Sequence, residues 1–179
     1  MFDQKVGESV RVLGIDPGSR VTGYGLLEIH GSGLRCVESG VLKAKGDFNR
    51  RLYEIHSDFK SLLKELRPDV LCLERIFLGK NVDSAFKLGH IRGLIIAEAQ
   101  ALEMSVFEYG AREVKKGVTG YGQSDKLQVS QIVKKSLGLK GELSEDASDA
   151  LALALHFCQG SRDRQSVMTR GQKPSGPSI

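Results

Sequence analysis

Hydrophobic residues in the first quarter of the chain recur with the spacing of β-strands, and turn-forming residues separate them. Pro17-Gly18 separates the first apolar segment from the second, and the turn HGSG at 30–33 separates the second from the third. The predicted strands span residues 10–16, 21–29 and 34–43. Short connections between successive strands predict an antiparallel three-stranded meander.

From residue 47 onward the pattern changes to helices that alternate with short apolar strands. Leu52, Ile55 and Phe59 begin a helical stripe that Arg67-Pro68 ends. The segments DVLCLE and SVFEY are short and apolar, which is typical of buried strands. Strands are therefore predicted over 69–74 and 105–109, and helices over 47–66, 83–102, 111–117, 125–137 and 145–158. The predicted fold class is α/β, a mixed five-stranded sheet flanked by helices.

The chain of 179 residues is long enough for one domain, which we place at 10–159. Residues 1–9 form a predicted flexible leader. Residues 160–179 have few large apolar side chains and a basic excess, so they form a predicted disordered tail. No apolar segment is long enough to cross a bilayer, and three widely spaced cysteines suggest reduced thiols in a cytoplasmic protein.

Four acidic residues lie where buried elements end or begin. Asp16 and Glu74 each close an apolar strand, and Asp146 and Asp149 open the last helix, which is otherwise strongly apolar. Each position has an ordinary explanation, because Asp before Pro-Gly favours a turn and carboxylates favour a helix N-terminus. Together, however, they predict four carboxylates that converge in one pocket.

Converging carboxylates need a cation, because like charges raise one another's pKa. Mg²⁺ is the natural partner, since it takes oxygen ligands and the sequence offers no His/Cys set for zinc. Two Mg²⁺ ions, with Mn²⁺ as a substitute, would stabilise the attacking and leaving oxygens of a displacement at phosphorus. Asp16, Glu74, Asp146 and Asp149 are therefore the predicted metal ligands and catalytic acids.

Four segments resemble, in order, the successive motifs of the RuvC family, bacterial Holliday-junction resolvases with an RNase H-like fold. They are GIDPGSRVTGYGLL, LERIFLGKNVDSAFKLGHIRG, VKKGVTGYGQSDKLQV and DASDALALAL. The resemblance runs from about Val10 to Cys158. It implies a dimeric, Mg²⁺-dependent endonuclease that cuts two opposed strands of a four-way DNA junction during recombination and repair. The family's catalytic acids fall on the same four residues.

The resemblance also assigns DNA-binding residues. The family's basic residues near the scissile phosphate fall on Lys115 and Lys126, and its junction-probing phenylalanine falls on Phe77. By themselves, the lysines could be solvated and Phe77 could pack on the surface. The functional alternative is that a mobile glycine-rich loop brings catalytic Lys126 to a phosphate and that Phe77 stacks on a base. Further candidates for phosphate contacts, each equally consistent with ordinary surface, are Arg75, Lys80, Lys87, Arg92 and Lys116.

The helix near 84–101 has apolar residues on more than one side, including a stripe of Gly89, Gly93 and Ala97. One side must cover the sheet. The other could meet a second helix of the same chain or the same helix of a second subunit. The resemblance favours the homodimer, and it also implies a partnership with a branch-migration helicase complex of the RuvA and RuvB type.

Three other functions fit part of the pattern. A kinase or ATPase of the actin–hexokinase type also has an Asp-Gly turn after its first strand, but it needs two such domains. A non-catalytic junction-binding protein would gain nothing from carboxylates beside phosphate. Another RNase H-like nuclease, such as an enzyme that cuts RNA–DNA hybrids, would share the acids. The net charge of +4 agrees with a polyanionic partner in general.

Overall fold

The structure is a computed structural model that describes residues 9–75, 82–160 and Val167. Phe77, Lys80 and nearly all of the predicted leader and tail lie outside the described residues. Within the described ranges, no helix has the length and apolar character needed to cross a membrane.

Five strands form one mixed sheet in the order β3-β2-β1-β4-β5. The strands are β1 (Val10–Asp16), β2 (Val21–His30), β3 (Gly33–Lys43), β4 (Val70–Glu74) and β5 (Ser105–Tyr109). The first three pair antiparallel, whereas β4 runs parallel to β1 and β5 parallel to β4. The predicted meander and the predicted mixed sheet are both confirmed.

Five helices flank the sheet: α1 (Phe48–Leu66), α2 (Val82–Ala101), α3 (Ala111–Thr119), α4 (Lys126–Leu137) and α5 (Glu145–Gln159). Their ends follow local chemistry. The Asp47 side chain accepts a hydrogen bond from the Arg50 amide at 3.0 Å and caps α1. Arg67, in the left-handed conformation, ends the same helix, as predicted. Helix α3 runs two residues beyond its predicted end because left-handed Gly120 terminates it.

The two faces of the sheet bury separate hydrophobic clusters. Val12 belongs to the cluster covered by α3, α4 and α5, whereas Leu13 and Ile15 belong to the cluster covered by α1 and α2. Side chains alternate along a strand, so Gly14 and Asp16 share the α5 face with Val12. By the same alternation Glu74 shares that face with Cys72.

Glycines on β1 and β2 let α5 lie directly on the sheet. A Cβ atom added to Gly14 would lie 1.9 Å from the Ala150 carbonyl oxygen, and one added to Gly23 would lie 2.0 Å from the Asp146 carbonyl oxygen. Both distances are far below van der Waals contact, so larger residues would displace the helix. The glycines therefore determine how closely the start of α5 approaches the end of β1.

Candidate active site

The strand register brings Asp16 and Glu74 to one edge of the sheet. Ile15 of β1 pairs with Leu73 of the parallel strand β4, so the next residue on each strand is the acid. The two carboxylates thus follow adjacent strands on the face that α5 covers.

The start of α5 brings the other two acids to the same place. Gly23, on which the Asp146 backbone rests, is the cross-strand partner of Asp16. The Ser144 side chain accepts a hydrogen bond from the Ala147 amide at 3.3 Å and caps the helix there. Asp146 and Asp149 are three residues apart, so both are directed to one side of the helix. The structure therefore gathers the four acids singled out from the sequence, and all four are half-buried.

The electrostatics of this cluster are those of crowded anions. Burial, and after it the charges of Asp149, Glu74 and Asp146, raise the pKa of Asp16 from 3.8 to about 7. Burial and Asp149 also raise the pKa of Glu74, while Lys126, Lys115 and Arg92 oppose that rise. A positive charge placed near these carboxylates would consequently stabilise their ionised forms.

Lys126, at the start of α4, supplies part of that charge. Its Nζ donates to Asp149 Oδ2 at 3.1 Å and also contacts Glu145 Oε1. The hydrogen bond to Glu145 is the main cause of a Lys126 pKa above its ordinary value, so the side chain is a permanent cation near neutral pH. At neutral pH Lys126 is therefore a positive charge beside the acidic cluster.

Glu145 is a partner of Lys126 that sequence reasoning missed. Ser144, the residue before it, caps the helix. The available signal was a fifth carboxylate directly before Asp146, but nothing local links it to Lys126, which is 19 residues away.

The donor chemistry suits a hard cation, since the cluster offers carboxylate oxygens and no sulfur or imidazole. Among residues 9–75 and 82–160, however, no three His, Cys, Asp or Glu side chains are arranged as a ready-made metal site. The acids interact electrostatically, and the Lys126 ammonium stands beside Asp149 as its counter-ion.

The basic residues predicted to contact phosphate have different environments. Lys115 lies on α3 near enough to Glu74 to oppose the rise in its pKa, and Lys116 is exposed on the same helix. The exposed Arg75 donates from its side chain to the Glu108 carbonyl oxygen at 3.0 Å. Lys87 is paired with Asp83 at 2.5 Å, one turn away on α2.

Arg92 is not the surface residue that the sequence suggested. It is only 8% exposed, and its guanidinium donates to the Glu74 carbonyl oxygen and to Glu108 Oε1. In this arrangement the guanidinium binds protein acceptors beneath α2 and does not face a surface on which a phosphate would lie.

The glycine-rich segment after Lys116 begins inside α3. Gly117 lies inside α3 against His156, since an added Cβ would lie 1.9 Å from His156 Nδ1. Gly117 therefore allows α3 to pack closely against His156. The remaining loop is held by hydroxyl groups: Thr119 Oγ1 lies 2.7 Å from Ser124 Oγ, which donates to the Tyr121 carbonyl oxygen at 2.8 Å.

One face of α2 is open within the part of the chain that the structure describes. Gly89, Gly93 and Ala97 are exposed, and no atom lies within 4 Å of a Cβ built at either glycine. Val82 and Phe86 extend the stripe and are 57% and 67% exposed. The described residues therefore provide no second helix to cover this face, which was one of the two alternatives.

Known proteins resemble this chain over almost its whole described length. The family model described as Crossover junction endodeoxyribonuclease RuvC matches residues 12–157. The Crossover junction endodeoxyribonuclease RuvC of Bdellovibrio bacteriovorus is 46% identical over 150 residues, which cover 83% of this chain and 89% of that protein.

Solved structures agree. The Thermus thermophilus RuvC structure matches with a TM-score of 0.76 at 30% identity and covers 86% of this chain and 96% of its own. T. thermophilus RuvC in complex with Holliday junction substrate matches with a TM-score of 0.79 at 28% identity, covering 88% and 97%. The predicted RNase H-like fold is thereby confirmed, and the chain belongs to the RuvC family of crossover junction endodeoxyribonucleases.

Proposed function

We propose that the protein is a Holliday-junction endodeoxyribonuclease that hydrolyses phosphodiester bonds in two opposed strands of a four-way junction. The observation that carries this proposal is the gathering of Asp16, Glu74, Asp146 and Asp149 at one end of the sheet, beside the cationic side chain of Lys126. Family membership supports the choice of a branched DNA substrate, because a relative of the same fold was solved with a Holliday junction.

The four acids would hold Mg²⁺, with Mn²⁺ as a substitute. Their oxygen donors fit a hard cation, and the raised pKa of Asp16 reflects a repulsion that a divalent ion would relieve. When bound, two ions per subunit would supply charge to the attacking and leaving oxygens of an in-line displacement. The rigid strand ends and the capped start of α5 hold the carboxylates in position for that task.

In the proposed complex, Lys126 exchanges one of its carboxylate partners for a DNA phosphate. Its ammonium is paired with the exposed Glu145 as well as with the half-buried Asp149, and an exposed ion pair contributes only ~0.2–1 kcal/mol. A phosphate can therefore replace Glu145 at small cost. In the proposed reaction Lys126 stabilises negative charge that develops on the phosphate, and it remains protonated throughout.

Other basic residues would position the DNA backbone. Lys115 and Lys116 on α3, and Arg75 directly after Glu74, are the proposed phosphate contacts. The proposed roles of Phe77 in stacking on a junction base and of Lys80 in binding phosphate rest on the resemblance, because both residues lie outside the described ones.

The proposed active form is a homodimer through α2. Its open stripe of small and apolar residues could bury the same stripe of a second copy in a twofold contact. Two sites related by that axis could nick two like strands of a junction. A cytoplasmic location and docking with a branch-migration complex of the RuvA and RuvB type belong to the same proposal.

Cleavage assays test the function. A synthetic four-way junction, a linear duplex and an RNA–DNA hybrid are each incubated with and without Mg²⁺, and products are mapped to single nucleotides. We expect paired, symmetrical cuts in the junction with Mg²⁺ and no cuts in EDTA. Preferential cutting of the hybrid would instead identify another nuclease of the same fold.

A further inference from the structure

Arg92 is a buried cation that connects α2 with the ends of two strands. Its neighbours on the same face of α2, Ile91 and Ile95, are 0% and 1% exposed and fix the helix against the core. From there the guanidinium donates to the carbonyl oxygen of Glu74, the last residue of β4, and to Glu108 Oε1 on β5 at 2.6 Å.

A guanidinium in this position needs both partners. Burying a charge is costly unless it is paired and hydrogen-bonded. Glu108, whose side chain is 37% exposed, supplies the opposite charge, and the Glu74 carbonyl takes a second N–H of the planar fork. Lysine, a single ammonium on a flexible stem, has no comparable fixed fork for both acceptors.

The segment that follows Glu74 is held from the other side. The Arg75 amide donates to the Tyr109 carbonyl oxygen at 2.8 Å, and the Arg75 side chain donates to the Glu108 carbonyl oxygen. Arg92 thus completes a clamp on the peptide that carries the Glu74 side chain. Its charge also opposes the rise in the pKa of Glu74.

From this geometry we propose that Arg92 is a positioning residue. Through it, the position of α2 on the sheet determines where the Glu74 carboxylate lies in the acidic cluster. This inference rests on the proposed nuclease function, and it adds a route by which contacts on the open face of α2 would reach the active site. Gly93, the next residue, lies on that open face, so one short stretch of helix carries both Arg92 and the proposed contact surface.

The test compares three substitutions. Arg92→Lys keeps the charge and loses the fork. Glu108→Gln keeps the bond to the Glu74 carbonyl and weakens only the ion pair. Arg50→Lys is the matched control, since Arg50 forms an exposed pair with Glu54 at 2.7 Å, one turn away on α1. For each variant we measure the melting temperature, the Mg²⁺ affinity of the free protein by calorimetry, junction affinity in EDTA, and kcat.

For Arg92→Lys we expect unchanged junction affinity in EDTA but a ten- to hundredfold loss in Mg²⁺ affinity or in kcat, the usual effect of losing a residue that orients a ligand. Glu108→Gln should lower the melting temperature more than it lowers kcat, and Arg50→Lys should change neither. Wild-type Mg²⁺ affinity and kcat in Arg92→Lys would overturn the inference. Equal losses of Mg²⁺ affinity and kcat in Arg92→Lys and Glu108→Gln would also overturn it.

If Arg92→Lys does not fold, the double variant Arg92→Gln with Glu108→Gln removes both charges together and serves instead. We expect it to be folded and still deficient in Mg²⁺ binding, and normal binding would overturn the inference. The failure of the proposed function is separate: it would appear as a wild-type protein that cuts no junction, while the Mg²⁺ affinities continue to test Arg92.

Discussion

The backbone of Gly23 lies directly beneath the carbonyl group of Asp146, so that an added Cβ would lie 2.0 Å from that oxygen. Gly23 is also the cross-strand partner of Asp16. Because Gly23 has no side chain, the start of α5 can approach the end of β1. This approach brings Asp146 and Asp149 close to Asp16.

Gly23→Ala is therefore expected to lower both stability and cleavage. The methyl group must push the start of α5 outward, and overpacking of this kind costs about 1–3 kcal/mol. Thermal unfolding and the Mg²⁺ dependence of cleavage measure the two effects. Gly110→Ala is the control, because its φ of −75° is ordinary and no atom lies within 4 Å of the added Cβ. Equal effects of the two substitutions would contradict the close contact at Gly23.

Asp16→Asn is expected to abolish cleavage, leave junction binding in EDTA intact, and stabilise the metal-free protein near pH 8. Folded Asp16 has a pKa of about 7 against 3.8 ordinarily, so the folded state binds the proton more tightly than the unfolded state. The resulting stability is present below about pH 4 and is lost as the pH rises to about 7.

The amide stays neutral, so the variant should be more stable than wild type by on the order of 2–4 kcal/mol at pH 8, since one pKa unit is worth about 1.4 kcal/mol. At pH 4 the difference should vanish. Denaturant unfolding in EDTA at both pH values measures it. A constant difference would remove the titration of Asp16 as its cause, and normal cutting by the variant would remove Asp16 from the site.

Lys126→Ala is expected to lower kcat more than junction affinity, because its charge is used where negative charge develops on the phosphate. Single-turnover cleavage and equilibrium binding separate the two quantities. Glu145→Gln, which removes one partner of the same ammonium, should change stability by less than about 1 kcal/mol because the pair is exposed. A loss confined to affinity would make Lys126 a phosphate anchor only.

Phe77→Ala is expected to slow cleavage of intact junctions more than cleavage of junctions with unpaired bases at their centre. Stacking contributes about 1–3 kcal/mol per base, and the pre-opened substrate needs less of it. Cleavage rates of the two substrates provide the comparison. Equal slowing of both would contradict a stacking role.

Phe86→Glu is expected to convert a dimer into a folded monomer, since Phe86 is 67% exposed on the open face of α2 and two added charges would face each other across a twofold axis. Sedimentation gives the mass and circular dichroism the fold. Tyr53→Glu, an equally exposed aromatic position on α1 at 63%, is the control and should leave the mass unchanged. A wild-type monomer would reject this interface.

Local patterns in the sequence determined the helices and strands of this protein and the positions of its four acids at their ends. Apolar alternation, helical stripes and stop signals act over a few residues, so strands β1 to β5 and helices α1 to α5 fall within about two residues of their predicted ranges. An acid at a strand end or in a first helical turn is equally local, and parallel pairing of β1 with β4 then makes neighbours of Asp16 and Glu74.

Only the tertiary structure decided which charges are buried and what they touch. Arg92 is bound to β4 and β5, Lys126 is bound to a glutamate 19 residues away, and Gly117 packs against His156. None of these pairs leaves a periodic trace, because the partners come from elements that meet only when the helices close on the sheet. Burial, unlike helix or strand formation, is a property of that assembled packing, and it determines whether an arginine faces solvent or binds the ends of two strands.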